Sequence, residues 1–173
     1  MRLHYSIALA GVMALGACGS EVERTAPCPR ITLLRDGADL TRFRPGAGQD
    51  LSVMTADARL SGFQARCDFA DRGNAITVDI TPGFAVEQGP ASTSSSIDLP
   101  WFVAVSDDRD TRILDQQDYI TRASFPANQP RVALAGERVR LTLPAREIRE
   151  VNVRLSFRLT AEELAYNRRR GAR

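Results

Sequence analysis

Three cysteines and a set of carboxylates are the main chemical resources of this chain of 173 residues. Its single histidine is His4, and all 23 basic residues are arginine, with no lysine. If the first residues are removed on export, the mature protein has no imidazole. That loss excludes Ser-His-Asp and Cys-His arrangements, His-ligated zinc and the commonest general acid-base group. Without lysine there is no Schiff-base chemistry and no phosphate-binding G-x-x-x-x-G-K-[ST] loop. Paired carboxylates, as in glycoside hydrolysis, stay open, but they must be held a few ångströms apart and spacing along the chain does not place them. The cysteines are Cys18, Cys28 and Cys67. An odd number in a secreted chain gives one of them a separate fate, and no C-x-x-C spacing points to redox chemistry.

That fate is read from Leu15-Gly16-Ala17-Cys18. Ahead of it runs a short apolar segment, Ser6 to Ala14, preceded by Met1-Arg2-Leu3-His4-Tyr5, which is the layout of a secretory leader. The apolar run falls well short of the roughly 20 residues that cross a bilayer. Leu15 is also bulky where ordinary signal cleavage prefers a small side chain. The four residues resemble the lipobox of bacterial lipoproteins. The resemblance implies that residues 1–17 are a signal peptide and that Cys18 is acylated and becomes the first residue. Gly19 in place of Asp implies sorting to the periplasmic face of the outer membrane. Each acyl chain would bury methylenes at about 0.8 kcal/mol per CH2, enough to prevent spontaneous release. Residues 18–27 then read as the lipidated cysteine and a tether, and the nine from Gly19 to Pro27 reach about 30 Å when extended. Expected partners are the membrane, through Cys18, and an envelope protein or cell-wall component. Loss of Arg2 with the leader leaves 22 Arg against 21 acidic residues, so nothing pulls the chain toward nucleic acid. No cofactor is expected.

Export to an oxidising compartment makes Cys28–Cys67 the expected disulfide. The elements around it read as strands. Phe63, Ala65, Cys67 and Phe69 alternate with Gln64, Arg66 and Asp68. The same period of two runs through Ile76, Val78 and Ile80, through Val139, Leu141 and Leu143, and through Val151, Val153, Leu155, Phe157 and Leu159. Such strands are expected to bury one face and wet the other, whereas Trp101-Phe102-Val103-Ala104-Val105, apolar on both sides, predicts a central strand with Pro100 at its start. Ile31 to Leu34 predicts a first short strand. Asp39 to Gly48 is expected to be loop with at most one helical turn, and Gln88 to Ser96 a flexible connection. The fold class is therefore all-β, an antiparallel immunoglobulin-like β-sandwich with a short C-terminal helix, spanning residues 28–167 as one domain. A small barrel is the alternative.

Three local features remain. Asp107-Asp108-Arg109-Asp110 predicts a charged hairpin turn; calcium is its rival, although the EF-hand pattern lacks Gly at the sixth position and Glu at the twelfth. Thr160-Ala161-Glu162-Glu163 is a capping box that starts a helix. The ending Leu164-Ala165-Tyr166-Asn167-Arg168, together with the lipobox and Cys28-Pro29, resembles uncharacterised proteobacterial envelope lipoproteins and implies no activity. Residues 168–173, with Arg168, Arg169, Arg170 and Arg173, read as a basic tail. It is either solvated or in contact with anionic lipid or phosphate-bearing polymer, at about 1 kcal/mol per Arg near a charged surface. The expected function is a membrane-anchored, non-catalytic binding or structural module of the envelope. The alternative is a carboxylate-dependent cell-wall glycan hydrolase, which requires two acids facing each other across a cleft.

Overall fold

The computed structural model describes residues 25–171, so the expected leader, Cys18, most of the expected tether and Arg173 lie outside the described residues. Nine strands are described, β1 (Arg30–Leu33), β2 (Asp39–Phe43), β3 (Met54–Ala70), β4 (Ala75–Gln88), β5 (Ser96–Asp107), β6 (Ile113–Ser124), β7 (Arg131–Ala135), β8 (Val139–Pro144) and β9 (Val151–Phe157), followed by helix α1 (Ala161–Arg170). Ile76, Val78, Ile80, Phe84 and Val86 alternate along β4 and are all buried. A strand so patterned needs an apolar cover on one face and a partner on each edge. β3 pairs one edge along the whole length of β4. The other edge is shared by β8 opposite residues 75–80 and β7 opposite residues 83–87. β2 extends this sheet beyond β3, and the second sheet runs β1-β9-β5-β6.

The result is the all-β sandwich expected, with a short C-terminal helix. The immunoglobulin-like refinement finds no support in the pairing. Three consecutive strands, β2, β3 and β4, lie side by side, and β1 pairs β9 in parallel. The inner faces meet at Trp101, which is fully buried. Its Nε1–H donates to Thr121 Oγ1 at 2.9 Å, so the one polar atom of the ring is satisfied. Tyr119 stacks on it with centroids 4.7 Å apart, and Phe84 meets it edge-on at 5.8 Å. Trp101 lies on β5 between β9 and β6, the central position the apolar run predicts. Pro100 sits inside β5, one residue beyond the last β9 pair at Trp101–Phe157; its carbonyl still accepts from the Arg158 amide at 2.8 Å, and its missing N–H ends the ladder there.

In β3 the inward positions are Ala56, Ala58 and Leu60, then Cys67. The parity changes because the register shifts between Leu60 and Gly62, where Gly62 adopts a φ of 145°. Cys67 is bonded to Cys28 with Cα atoms 5.6 Å apart. The bridge ties the segment ahead of β1, in one sheet, to β3 in the other. Ala26 is buried in the same core, so the packed domain begins earlier than residue 28.

Asp39–Phe43 is a strand, not loop, and pairs β3 from Arg59 to Met54. A register shift between Arg42 and Phe43 breaks its alternation, and its outward Asp39 and Thr41 are buried under the helix, so the polar residues that suggest solvent are covered. β9 likewise has no wet face, since Asn152 and Ser156 are buried together with Val151, Val153, Leu155 and Phe157.

Replacing both bridge cysteines by serine should lower stability by about 4 kcal/mol for a closed loop of 39 residues. Urea unfolding of parent and double variant checks this.

Candidate functional site

The helix begins where the capping box places it. Thr160 Oγ1 accepts from the Glu163 amide at 3.2 Å, and Glu163 Oε2 accepts from the Thr160 amide at 2.7 Å. It lies against β2 and the turn Arg35–Gly37. Asn167, buried on its inner side, donates through Nδ2 to the carbonyls of Asp36 at 2.8 Å and Asp39 at 2.7 Å. Beneath it the Asp39 carboxylate, 5 % exposed, is gripped from two sides. Arg59 Nε stands 3.0 Å from Oδ1 and Arg170 Nη2 3.2 Å from Oδ2.

The arginines expected to form a tail at residues 168–170 are the last turn of this helix instead. Cations there complement the partial negative charge of the helix C-terminus, and each has a partner. Arg168 Nε donates to Asp36 Oδ2 at 3.0 Å, Arg169 to Gln49, and Arg170 Nη1 to Thr41 Oγ1 at 3.1 Å. The Arg170 guanidinium also lies 5.3 Å from the Tyr166 ring centroid. Arg168 and Arg169 stay exposed while paired. The turn sits at the level of Arg59, eight residues or about 26 Å along β3 from Cys67 at about 3.3 Å per residue. It is thus well away from Cys28, near the N-terminal end of the described residues. Arg173 lies outside the described residues.

Two recesses flank the helix. One, of about 460 Å³, is polar and lies among Phe43, Arg44, Gln49, Glu162, Glu163 and Tyr166. The other, of about 530 Å³, is lined by Leu34, Phe102, Phe157, Leu159 and Leu164 with Arg35 and Arg168 at its rim. Neither places two carboxylates face to face. In the polar recess Glu162 accepts from Gln49, and Glu163 is taken up by Arg42 and the cap. Asp39, the buried acid among the described residues, is roofed by the helix and held by arginines.

The directions of titration agree. Asp50 is held below its ordinary value by Ser52, Asp79 by Arg140, Asp98 by Arg122, Asp107 by Thr111 and Asp110 by Arg154. A glycosidase acid needs the opposite shift. None of these five acids has the shift that the hydrolase alternative requires.

The Asp107 to Asp110 turn folds back over the polar side of β9 at Asn152 and Arg154 and keeps that part of it dry. Asp110, at φ 57°, accepts from Ser106 Oγ at 2.6 Å, Asn152 Nδ2 at 3.3 Å and both Arg154 Nε and Nη2 at 3.1 and 2.6 Å. Asp107 accepts from the Thr111 hydroxyl and amide. These lone pairs face donors, not an open cation site, and no cluster of three or more acidic, His or Cys side chains suited to a metal occurs among the described residues. Sequence reasoning missed β2 and the polar seam between it and the helix. The only local sign was Asn167 and Arg170 three residues apart on one helical face.

No protein-family model matches the chain, and neither a curated protein nor a solved structure matches it.

Asp110→Asn should destabilise at neutral pH but not in acid. Folding lowers the Asp110 pKa, so its contribution is complete above the unfolded value of about 3.9 and vanishes as pH falls through the folded value. Urea midpoints at about pH 7 and about pH 2 should differ from the parent only at the former. Asp39→Ala leaves two guanidiniums without their shared partner and should cost about 3 kcal/mol in the same assay.

Proposed function

We propose that this protein is a lipid-anchored, non-catalytic module of the cell envelope. In this reading acylated Cys18 holds the sandwich at the periplasmic face of the outer membrane, where its surface binds or supports another envelope component. The observation that carries the reading is the position of the Cys28–Cys67 bridge. It lies ten residues after Cys18, where the tether meets the domain, and fixes that point to both sheets. A disulfide there also suits an oxidising compartment. No helix among the described residues is long and apolar enough to cross a membrane, so attachment in this reading falls to the lipid on Cys18. The binding role is favoured by Asp50, Asp79, Asp98, Asp107 and Asp110, each held below its ordinary value by an arginine or a hydroxyl, the opposite of the shift a general acid needs.

Labelling the full chain with a fatty-acid probe in a bacterial host that acylates lipoproteins should mark the parent and leave Cys18→Ala unmarked. The variant should also move from the membrane to the soluble fraction. A parent that carries no label, or whose mature N-terminus is a residue other than Cys18, would overturn the anchor. A pull-down from detergent-solubilised envelope should recover a component with the parent that Cys18→Ala fails to recover.

A further inference from the structure

Of the six large apolar side chains left exposed among the described residues, three, Ile113, Leu114 and Ile120, belong to β6; the others, Leu34, Leu51 and Phe69, are scattered. β6 is also the end strand of its sheet, paired on one side only, by β5. Proteins usually protect such an edge with proline, lysine, a bulge or a covering segment. β6 has none of the first two, and from Asp115 to Ser124 it runs in unbroken register with β5. The backbone groups on its open side can be assigned. Pro100 accepts at its carbonyl from the Arg158 amide at 2.8 Å, so the backbone of Pro100 faces β9. Ile120 stands directly opposite Pro100. In an antiparallel ladder this makes them a non-hydrogen-bonded pair, and the N–H and C=O of Ile120 point away from β5. The same holds for Asp118 and Arg122, two positions either side.

We propose that two copies of this chain pair through β6, antiparallel, with Ile120 opposite Ile120 of the partner subunit. Two-fold pairing that keeps each sheet face continuous must set residues of equal parity opposite one another. Among such registers, centring on Asp118 would oppose two carboxylates, which is unfavourable. Centring on Tyr119 would set Asp118 against an isoleucine. Centring on Ile120 covers the most exposed large apolar side chain of β6, 70 % exposed, with its own copy. It also sets Asp118 opposite Arg122 of the partner subunit, twice by the symmetry; within one copy Asp118 already accepts from Arg158 at 2.6 Å and Arg122 donates to both oxygens of Asp98, so the crossed charges join these pairs into one alternating row across the interface. The backbone groups that meet are those turned outward, so each central pair exchanges two hydrogen bonds and the two four-stranded sheets become one of eight. This pairing does not depend on acylation of Cys18.

The test is oxidative cross-linking of the full chain in mild detergent, with the parent run alongside to account for Cys18. Opposed Cα atoms in such a pair lie about 5.5 Å apart, within disulfide range. Ile120→Cys should therefore give a reducible band at twice the chain mass. Asp118→Cys should not, because the two copies of residue 118 would be offset by four residues, about 13 Å. Arg122→Asp should abolish the dimer in sedimentation of the otherwise unmodified chain, and Asp118→Arg combined with Arg122→Asp should restore it. Cross-linking of Asp118→Cys as strong as that of Ile120→Cys would overturn the register. A monomeric Ile120→Cys, or a cross-linked band at any other mass, would overturn self-pairing, the latter in favour of a different protein at the same edge.

Discussion

β4 imposes the constraint that the remaining strands answer. Its fourteen residues carry an unbroken run of buried alternate positions, so it needs a second sheet over that face and hydrogen-bond partners along both edges. β3 satisfies one edge with a strand longer than β4 itself, bulging at Gly62 so that its inward side chains keep facing the core as the sheet twists. The other edge is met by two short strands in succession. Close approach of the chain fixes the ends of this sheet. Gly89 follows β4 directly, and any side chain there would collide with the Met54 carbonyl. The Gly89 amide bonds to Thr55 O and that of Ala91 to Met54 O, while Gln88 Nε2 holds the Ser94 carbonyl at 2.6 Å. The connection read as flexible is therefore tied down at both ends.

The parts legible in the sequence were those governed by period-two burial and by local capping. β4, β5, β8 and β9 were visible because their inward residues are apolar at a fixed spacing, and α1 because Thr160 and Glu163 satisfy each other's backbone. What stayed hidden depends on partners far along the chain. Asp39 and Thr41 are dry because a helix more than a hundred residues later lies over them. Asn152 and Ser156 are dry because the turn after β5 and the turn Arg35–Gly37 cover them. A polar residue on a strand signals water only if nothing else supplies its hydrogen bonds. The candidate sites divide in the same way. Cys28 and Cys67 could be paired from parity and compartment, whereas the fate of Arg168 to Arg170 needed the positions of Asp36, Gln49 and Asp39.

The exclusive use of arginine shapes the surface. Arg122 grips both oxygens of Asp98, Arg140 both of Asp79 and Arg154 both of Asp110. The planar guanidinium matches a carboxylate in a way that an ammonium does not. Exposed pairs of this kind add no more than about 1 kcal/mol each. Their larger effect is geometric, since they hold side chains of neighbouring strands in fixed rows across the sheets.

The covalent link between Cys28 and Cys67 also has a mechanical meaning. Tension applied from the N-terminal side would otherwise fall on β1, four residues bound along one edge to β9, and could strip that strand from the sheet a bond at a time. With the link in place the pull is diverted into β3, seventeen residues long and laddered to β4 from Ala56 to Ala70. Its hydrogen bonds must then yield together under shear. Reduction of a single sulfur–sulfur bond would thus leave a pull from that side to peel and lengthen the chain.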